Sequence, residues 1–357
     1  MFMQKVETVA PSEDGAAGPA GGRPVIDVCE VVYDLPSWRA YLRAFAADAP
    51  GYLRVFARRL CELAGADLAR YRRTLDRDPF AAVEVLLEPE LLAVDVGEHA
   101  RKLRDQGVIA QVAHGGMWQA GDGTVNDHVA RLATRVPELH FWAGLSLADT
   151  SAAMTELRRS HDELGARGLS IIPFLDGVDV LDPRVAPIFE YAQHEGLPLW
   201  IHCGQNFAAT RPMDSCTWRH IDGLAGRYPG LVLVVGHGGW PWMGEMAAVA
   251  QRHGNVYLDS STHRGTAMAT PGYGWEPVLS RADGALRRKL VFGSTTWVNG
   301  LSTRALAEEI TTLGLAEPTV RAWLAGNAAR LLGLSLPDEP SVPGGAASRT
   351  AAAGAPA

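Results

Sequence analysis

Eight short apolar runs, each followed by a stretch of helical spacing, predict a (β/α)8 barrel over residues 24–336. Two further features agree with it. The run from Leu231 to Val235 is continuously apolar, as a strand buried on both faces must be. Polar residues, histidines among them, recur at the C-terminal ends of the runs, where a barrel of this kind carries its chemistry. A doubly wound open sheet is the competing architecture, but the turn after the first run lacks the Gly-x-Gly-x-x-Gly spacing that would bind a dinucleotide.

The first strand is Val25 to Cys29. Apolar residues at helical spacing from Trp38 to Leu75 follow. This stretch is too long for one crossover, so an inserted helical subdomain is expected over about residues 34–90. The second strand is Val108 to Ala113, with a helix near Asp127 to Arg135. The third is Leu139 to Leu145, with a helix from Ser151 that stops at Gly165. The fourth is Leu169 to Phe174, and its helix begins past Asp182-Pro183 and ends before Gly196. The fifth, Leu199 to His202, and the sixth, Leu231 to Val235, are short and apolar. The seventh is Asn255 to Asp259 and the eighth Lys289 to Gly293. Helical patterns over Ser302–Thr312 and Glu317–Leu332 close the chain.

Of 357 residues, 47% are hydrophobic and 20% charged, which is enough apolar material for a large core. The net charge of −7, without a basic cluster, argues against nucleic-acid binding. Residues 1–23 and 337–357 are rich in Gly, Ala and Pro and are expected to be disordered tails. Neither holds an apolar stretch fit for a signal peptide or a membrane span. The four cysteines, Cys29, Cys61, Cys203 and Cys216, form no Cys-x-x-Cys pair and are expected to be reduced. These features lead us to expect a cytoplasmic protein without membrane attachment.

Several strand ends carry recognisable motifs. Pro198-Leu199-Trp200-Ile201-His202-Cys203-Gly204 ends the fifth strand. Val234-Val235-Gly236-His237-Gly238-Gly239-Trp240 ends the sixth. Asn255-Val256-Tyr257-Leu258-Asp259-Ser260-Ser261 covers the seventh, Phe292-Gly293-Ser294 ends the eighth, and Gly326-Asn327-Ala328-Ala329-Arg330-Leu331 lies near the end. Together, and in this order, they resemble the amidohydrolase-2 family, which includes the aminocarboxymuconate semialdehyde and resorcylate-type decarboxylases. The resemblance implies a divalent metal held by a His-x-His pair on strand one, a histidine on strand five and an aspartate on strand eight, with a strand-six histidine assisting.

At those positions the chain departs from the pattern. Cys29 and Val31 stand where the first two histidines belong, and Thr295 stands for the aspartate. Only His202 and His237 remain, so no cofactor is expected. A rebuilt site of Cys29, His202 and His237 would suit zinc. Strand alternation puts Asp27, Cys29 and Val31 on one face and Glu30 on the other, which counts against Glu30 as a further ligand.

The residues expected to act are His202 and His237 as acid and base, with Cys29 as nucleophile or as a small packing residue. His114, Trp118, Trp240, Asp259, Arg264, Thr295 and Trp297 are the expected substrate contacts, with Arg264 as the partner of a substrate carboxylate. The expected reaction is metal-independent hydrolysis of an amide, ester or lactone in a small organic substrate. Non-oxidative decarboxylation or another lyase step, a zinc enzyme with altered ligands, and a non-catalytic binding barrel are the alternatives. A homodimer is expected, since two-fold dimers are the commonest soluble oligomers.

Overall fold

The computed structural model describes residues 22–336. The expected tails fall outside them, apart from Gly22 and Arg23. Arg23 is anchored: its guanidinium donates twice to Glu317, at 2.9 and 2.7 Å.

Eight parallel strands form the barrel: β1 Val25–Glu30, β2 Val108–His114, β3 Leu139–Leu145, β4 Leu169–Ile171, β5 Leu199–His202, β6 Leu233–Gly236, β7 Val256–Asp259 and β8 Leu290–Val291. They pair in chain order. Backbone bonds from Val28 N to Phe292 O (2.9 Å) and from Thr295 N to Cys29 O (3.0 Å) join the first strand to the last. Ile26, Val28, Ala110, Val112, Trp142, Trp200, Val234 and Val291 form one buried cluster, joined by Ala325, Ala328 and Ala329 of the final helical segment.

The fourth strand is shorter than its apolar run predicts. Pro173 has no N–H for the ladder and instead opens a short helix, Pro173–Asp176. In β1 the pairing with β2 shifts between Asp27, opposite Gln111, and Glu30, opposite Ala113. Three steps on one strand match two on the other, which breaks strict alternation. The expectation that Glu30 faces away from Cys29 is thereby corrected, since both side chains line the same cavity.

Five helices follow β1 within residues 35–87. They form the helical insertion: α1 Leu35–Asp48, α2 Pro50–Val55, α3 Ala57–Ala64, α4 Leu68–Leu75 and α5 Pro79–Leu87, and α6 Val96–Asp105 leads back to β2. Asp34 fastens it to the barrel. One carboxylate oxygen caps α1 by accepting from Ser37 N at 3.0 Å, and the other lies 2.6 Å from His128 Nδ1 on the helix after β2. Trp38, Leu42 and Phe45 are the large apolar side chains that α1 buries.

Close approach of backbone fixes one small residue. A Cβ on Gly144 in β3 would lie 2.1 Å from Gly115 O, and Asn126 bridges the same spot by bonding Gly144 N and O at 2.9 and 3.1 Å. We expect Gly144→Ala to lower stability by at least about 1–3 kcal/mol in urea unfolding, the usual cost of overpacking. Gly254→Ala, with nothing within 4 Å of the added carbon, is the control and should lie within roughly 0.5 kcal/mol of the parent. Equal midpoints for both variants would contradict the β2–β3 packing described.

Candidate active site

The C-terminal strand ends converge on one cavity of roughly 120 Å³. Cys29 from β1, His114 from β2, His202 from β5, His237 after β6 and Thr295 after β8 all line it. Cys29, Thr295, His202 and His237, expected at strand ends, are therefore brought together at one end of the barrel. Trp118 and Trp297 line it as well.

The chemistry of His237 follows from the atoms behind it. Asp259, at the end of β7, is wholly buried. Its carboxylate accepts from Ser261 N (2.6 Å), Ser261 Oγ (2.6 Å) and Trp200 Nε1 (2.8 Å). Ser261 Oγ also lies 2.8 Å from His237 Nδ1. A hydroxyl has one proton, and here the carboxylate takes it. His237 must then donate from Nδ1, which leaves Nε2 bare. Burial holds the His237 pKa below its ordinary value, against the pull of the Asp259 charge. The result is a neutral imidazole with a free basic nitrogen in the wall of the cavity.

His202 is buried between Phe174, 4.7 Å away, and His237, 5.0 Å away, both edge-on. Burial, and then the neighbouring His237, hold it well below its ordinary pKa. His114 points Nε2 at Val28 O (3.0 Å) and stacks on Trp142, and burial lowers its pKa to about 4. All three imidazoles are therefore neutral near pH 7.

The surroundings of Cys29 oppose a thiolate. Burial, reinforced by the negative charge of Asp259, pushes its pKa well above the ordinary value. Its Sγ accepts from Thr295 Oγ1 at 3.6 Å. Thr295 itself has φ of +42°, an unusual value for a β-branched residue, because it sits in the tight turn that follows β8.

Three expected contacts lie elsewhere. Arg264 is bound to Glu309 through Nε at 3.0 Å and through Nη2. It is held against the helix Thr303–Thr311, so it does not serve as the carboxylate partner expected in the cavity. Trp240 donates from Nε1 to Tyr273 O at 2.8 Å and is absent from the cavity wall. Its side chain is spent on the loop packing after β7. Asp259, a third, is also absent from the cavity wall and reaches it through Ser261 and Trp200.

The pattern reading missed the roof. Tyr41, Phe45, Tyr52 and Phe56 descend from the helical insertion onto the cavity, where Tyr52 stacks on Phe174 (5.4 Å) and Phe56 meets Trp297 edge-on (5.3 Å). The signal was present, because 41/45 and 52/56 are each four apart and share a helix face. Also missed was a buried carboxyl pair. Ser294 Oγ contacts Asp27 at 2.6 Å and Glu30 at 2.8 Å. One hydroxyl proton cannot serve both, so the pair holds a proton of its own. Burial, then the Glu30 charge, raises the Asp27 pKa to about 7.

The donors do not fit the family's metal. Val31 offers no ligand, the Cys29 thiol is held protonated, and Thr295 turns its hydroxyl to Cys29. Among the described residues, no group of three or more His, Cys, Asp or Glu side chains is arranged to hold an ion.

Burial of so many neutral imidazoles makes stability depend on pH. His99, His114, His140, His202, His237 and His263 are all depressed by burial, with His114 and His140 at about 4 and His263 at about 3. The unfolded chain protonates them near pH 6.5. Between about pH 6.5 and 4 it therefore binds more protons than the folded chain, and stability falls as pH falls. The raised carboxyls Asp27, Glu30 and Asp176 act in the opposite sense, three groups against six. We expect the urea midpoint to drop steadily from pH 7 to pH 4.5. A flat or rising midpoint would mean that these histidines are not buried as described.

The comparisons with known proteins agree with this architecture. A model of the amidohydrolase family (Amidohydro_2) matches residues 82–334. A stretch of 79 residues is 34% identical to 2-amino-3-carboxymuconate-6-semialdehyde decarboxylase of Dictyostelium discoideum. That match spans only 22% of each chain. An uncharacterised TIM-barrel protein of Bordetella bronchiseptica superposes with a TM-score of 0.60 at 24% identity, over 87% of this chain and 98% of that one. The 5-carboxyvanillate decarboxylase of Sphingomonas paucimobilis does so at 0.60 and 19%, over 88% and 100%. That of Novosphingobium aromaticivorans, solved with manganese and 4-hydroxy-3-methoxy-5-nitrobenzoic acid, reaches 0.59 at 16%, over 91% and 100%. A family model that covers well over half of the chain, together with the strand-end histidines His202 and His237 in one cavity, makes this protein a member of the amidohydrolase family.

Proposed function

We propose that this protein is a metal-independent decarboxylase of a planar, hydroxylated unsaturated or aromatic acid. One observation carries the reading: neutral histidines, His202 and His237 among them, face a narrow cavity walled by nine Phe, Tyr and Trp side chains. A carboxylate moved from water into such surroundings loses solvation that carbon dioxide does not need. Flat aromatic walls suit a flat substrate. The decarboxylases among the relatives support the reaction class, and no step here is routed through a metal.

In this mechanism His237 Nε2 takes the proton of a substrate hydroxyl, and the Ser261–Asp259 chain steadies the imidazolium. The freed electrons raise the density at the carbon that carries the carboxylate. That carbon takes a proton from the imidazolium, directly or by way of His202. The bond to the carboxylate breaks, its electron pair returns to the ring, and carbon dioxide leaves. Water then reprotonates the oxygen, for a net uptake of one proton.

Hydrolysis of an amide, ester or lactone is the second reading. It is favoured by the same His237–Ser261–Asp259 chain, which could equally activate a water molecule.

Carbon dioxide release from a panel of hydroxybenzoic acids, beside an ester and lactone panel, separates the two. We expect release that survives chelators and falls by about 10²–10⁴-fold in each of His202→Ala and His237→Ala, the usual loss for an acid–base residue. Ser261→Ala should lower the rate by less than His237→Ala, because it removes the support and leaves the base. Loss of activity on chelation, restored by added metal, would overturn metal independence. Ester or lactone turnover without carbon dioxide release would overturn the decarboxylase reading.

A further inference from the structure

His237 sits in a backbone conformation that a histidine rarely adopts. Its φ is +56°, and Gly238 (+61°) and Gly239 (+74°) continue in the same left-handed region. A turn of this kind persists only where its surroundings hold it. The loop after β7 does so here. Ser261 meets the imidazole of His237 at Nδ1. Thr262, itself at φ +65°, turns the loop, and the next residue, His263, bonds the His237 carbonyl.

The protons of His263 can be counted. Its Nδ1 lies 2.9 Å from the Tyr273 hydroxyl, which leaves Nε2 for the carbonyl. A carbonyl only accepts, so Nε2 carries the one proton of the neutral ring. Nδ1 is then bare, and the Tyr273 hydroxyl donates to it. Tyr273 closes the arrangement a second time. Its own carbonyl accepts from Trp240 Nε1 at 2.8 Å, its ring stacks on that indole, and Trp240 N donates to His237 O at 3.1 Å. Trp275, wholly buried, stands edge-on to His263, and a Cβ on Gly238 would lie 3.1 Å from its ring. His263, Tyr273 and Trp275 are all absent from the cavity wall, so any effect they have on the chemistry passes through His237.

We propose that His263 and Tyr273 are positioning residues for His237: they fix its carbonyl, and with it the direction in which the free Nε2 enters the cavity. The bond at Nδ1 sets which nitrogen carries the proton. The direction of the ring also depends on where the main chain places Cβ, and a left-handed residue must be held to keep that placement. The inference rests on the reading of His237 as the base of the proposed reaction.

A spectrum and a rate test it together. In nitrogen NMR of the full chain, His237 should give one sharp set of resonances with the proton on Nδ1. They should broaden or split in His263→Ala and in Tyr273→Phe, and sharpen again in His263→Gln, whose amide N–H reaches the carbonyl. In carbon dioxide release, His263→Ala should lower kcat by about 10²-fold at unchanged KM, the usual cost of a displaced catalytic group. Tyr273→Phe loses only a hydroxyl and should lower kcat by about tenfold, the value of one hydrogen bond. If His263→Ala does not fold, Tyr273→Phe decides alone. Unchanged His237 resonances in Tyr273→Phe overturn the proposal. A Tyr273→Phe variant that releases carbon dioxide at the parent rate also overturns it and leaves the decarboxylase reading standing. Resonances that respond as expected in a chain that releases no carbon dioxide would sink the decarboxylase reading and leave the positioning in place.

Discussion

The arrangement at the barrel mouth hangs on one buried carboxylate. Asp259 has no access to water, so each of its lone pairs must meet a donor inside the protein. Ser261 spends its hydroxyl and its N–H on it, and Trp200 spends its indole N–H. With the serine proton committed, His237 has only one way to bond Ser261, and its second nitrogen is left bare. Trp200, held by the same carboxylate, stands edge-on to both His114 and His237. A charge outside the cavity thus sets the tautomer of a residue in its wall.

The side chains that follow the first and last strands are held by one another. Thr295 contacts the sulfur of Cys29 through its hydroxyl. Beneath them Ser294 ties Asp27 to Glu30, with Gln111 bonding Asp27 and the backbone N–H of Thr296 bonding Glu30. Asp27 and Glu30 thus form a protonated, hydrogen-bonded floor below Cys29 and Thr295. Its acids are satisfied by protein donors and by a proton of their own, which is how buried carboxyls persist without a countercharge.

The helical insertion supplies what the barrel alone lacks. Strand ends provide polar groups, but an open barrel mouth is wet. Aromatic side chains from α1, α2 and the turn after α2 close over it, stacking on Phe174 and meeting Trp118 and Trp297 edge-on on the barrel side. In the space they enclose, imidazoles stay neutral and charges are costly.

Much of this was legible in the chain. Apolar runs and helical spacing marked all eight strands, because a parallel barrel buries its strands on both faces. The histidines at the ends of β5 and β6 were legible from local motifs. What only the tertiary structure decided depends on distance through space. The break in alternation that turns Glu30 into the mouth comes from pairing with β2. The retirement of Arg264 to Glu309 joins residues 45 positions apart. The tautomer of His237 depends on a proton count across residues 200, 237, 259 and 261. Periodicity reports which face of a local element is buried, whereas a hydrogen-bond network and an enclosed cavity exist only once distant segments are packed together.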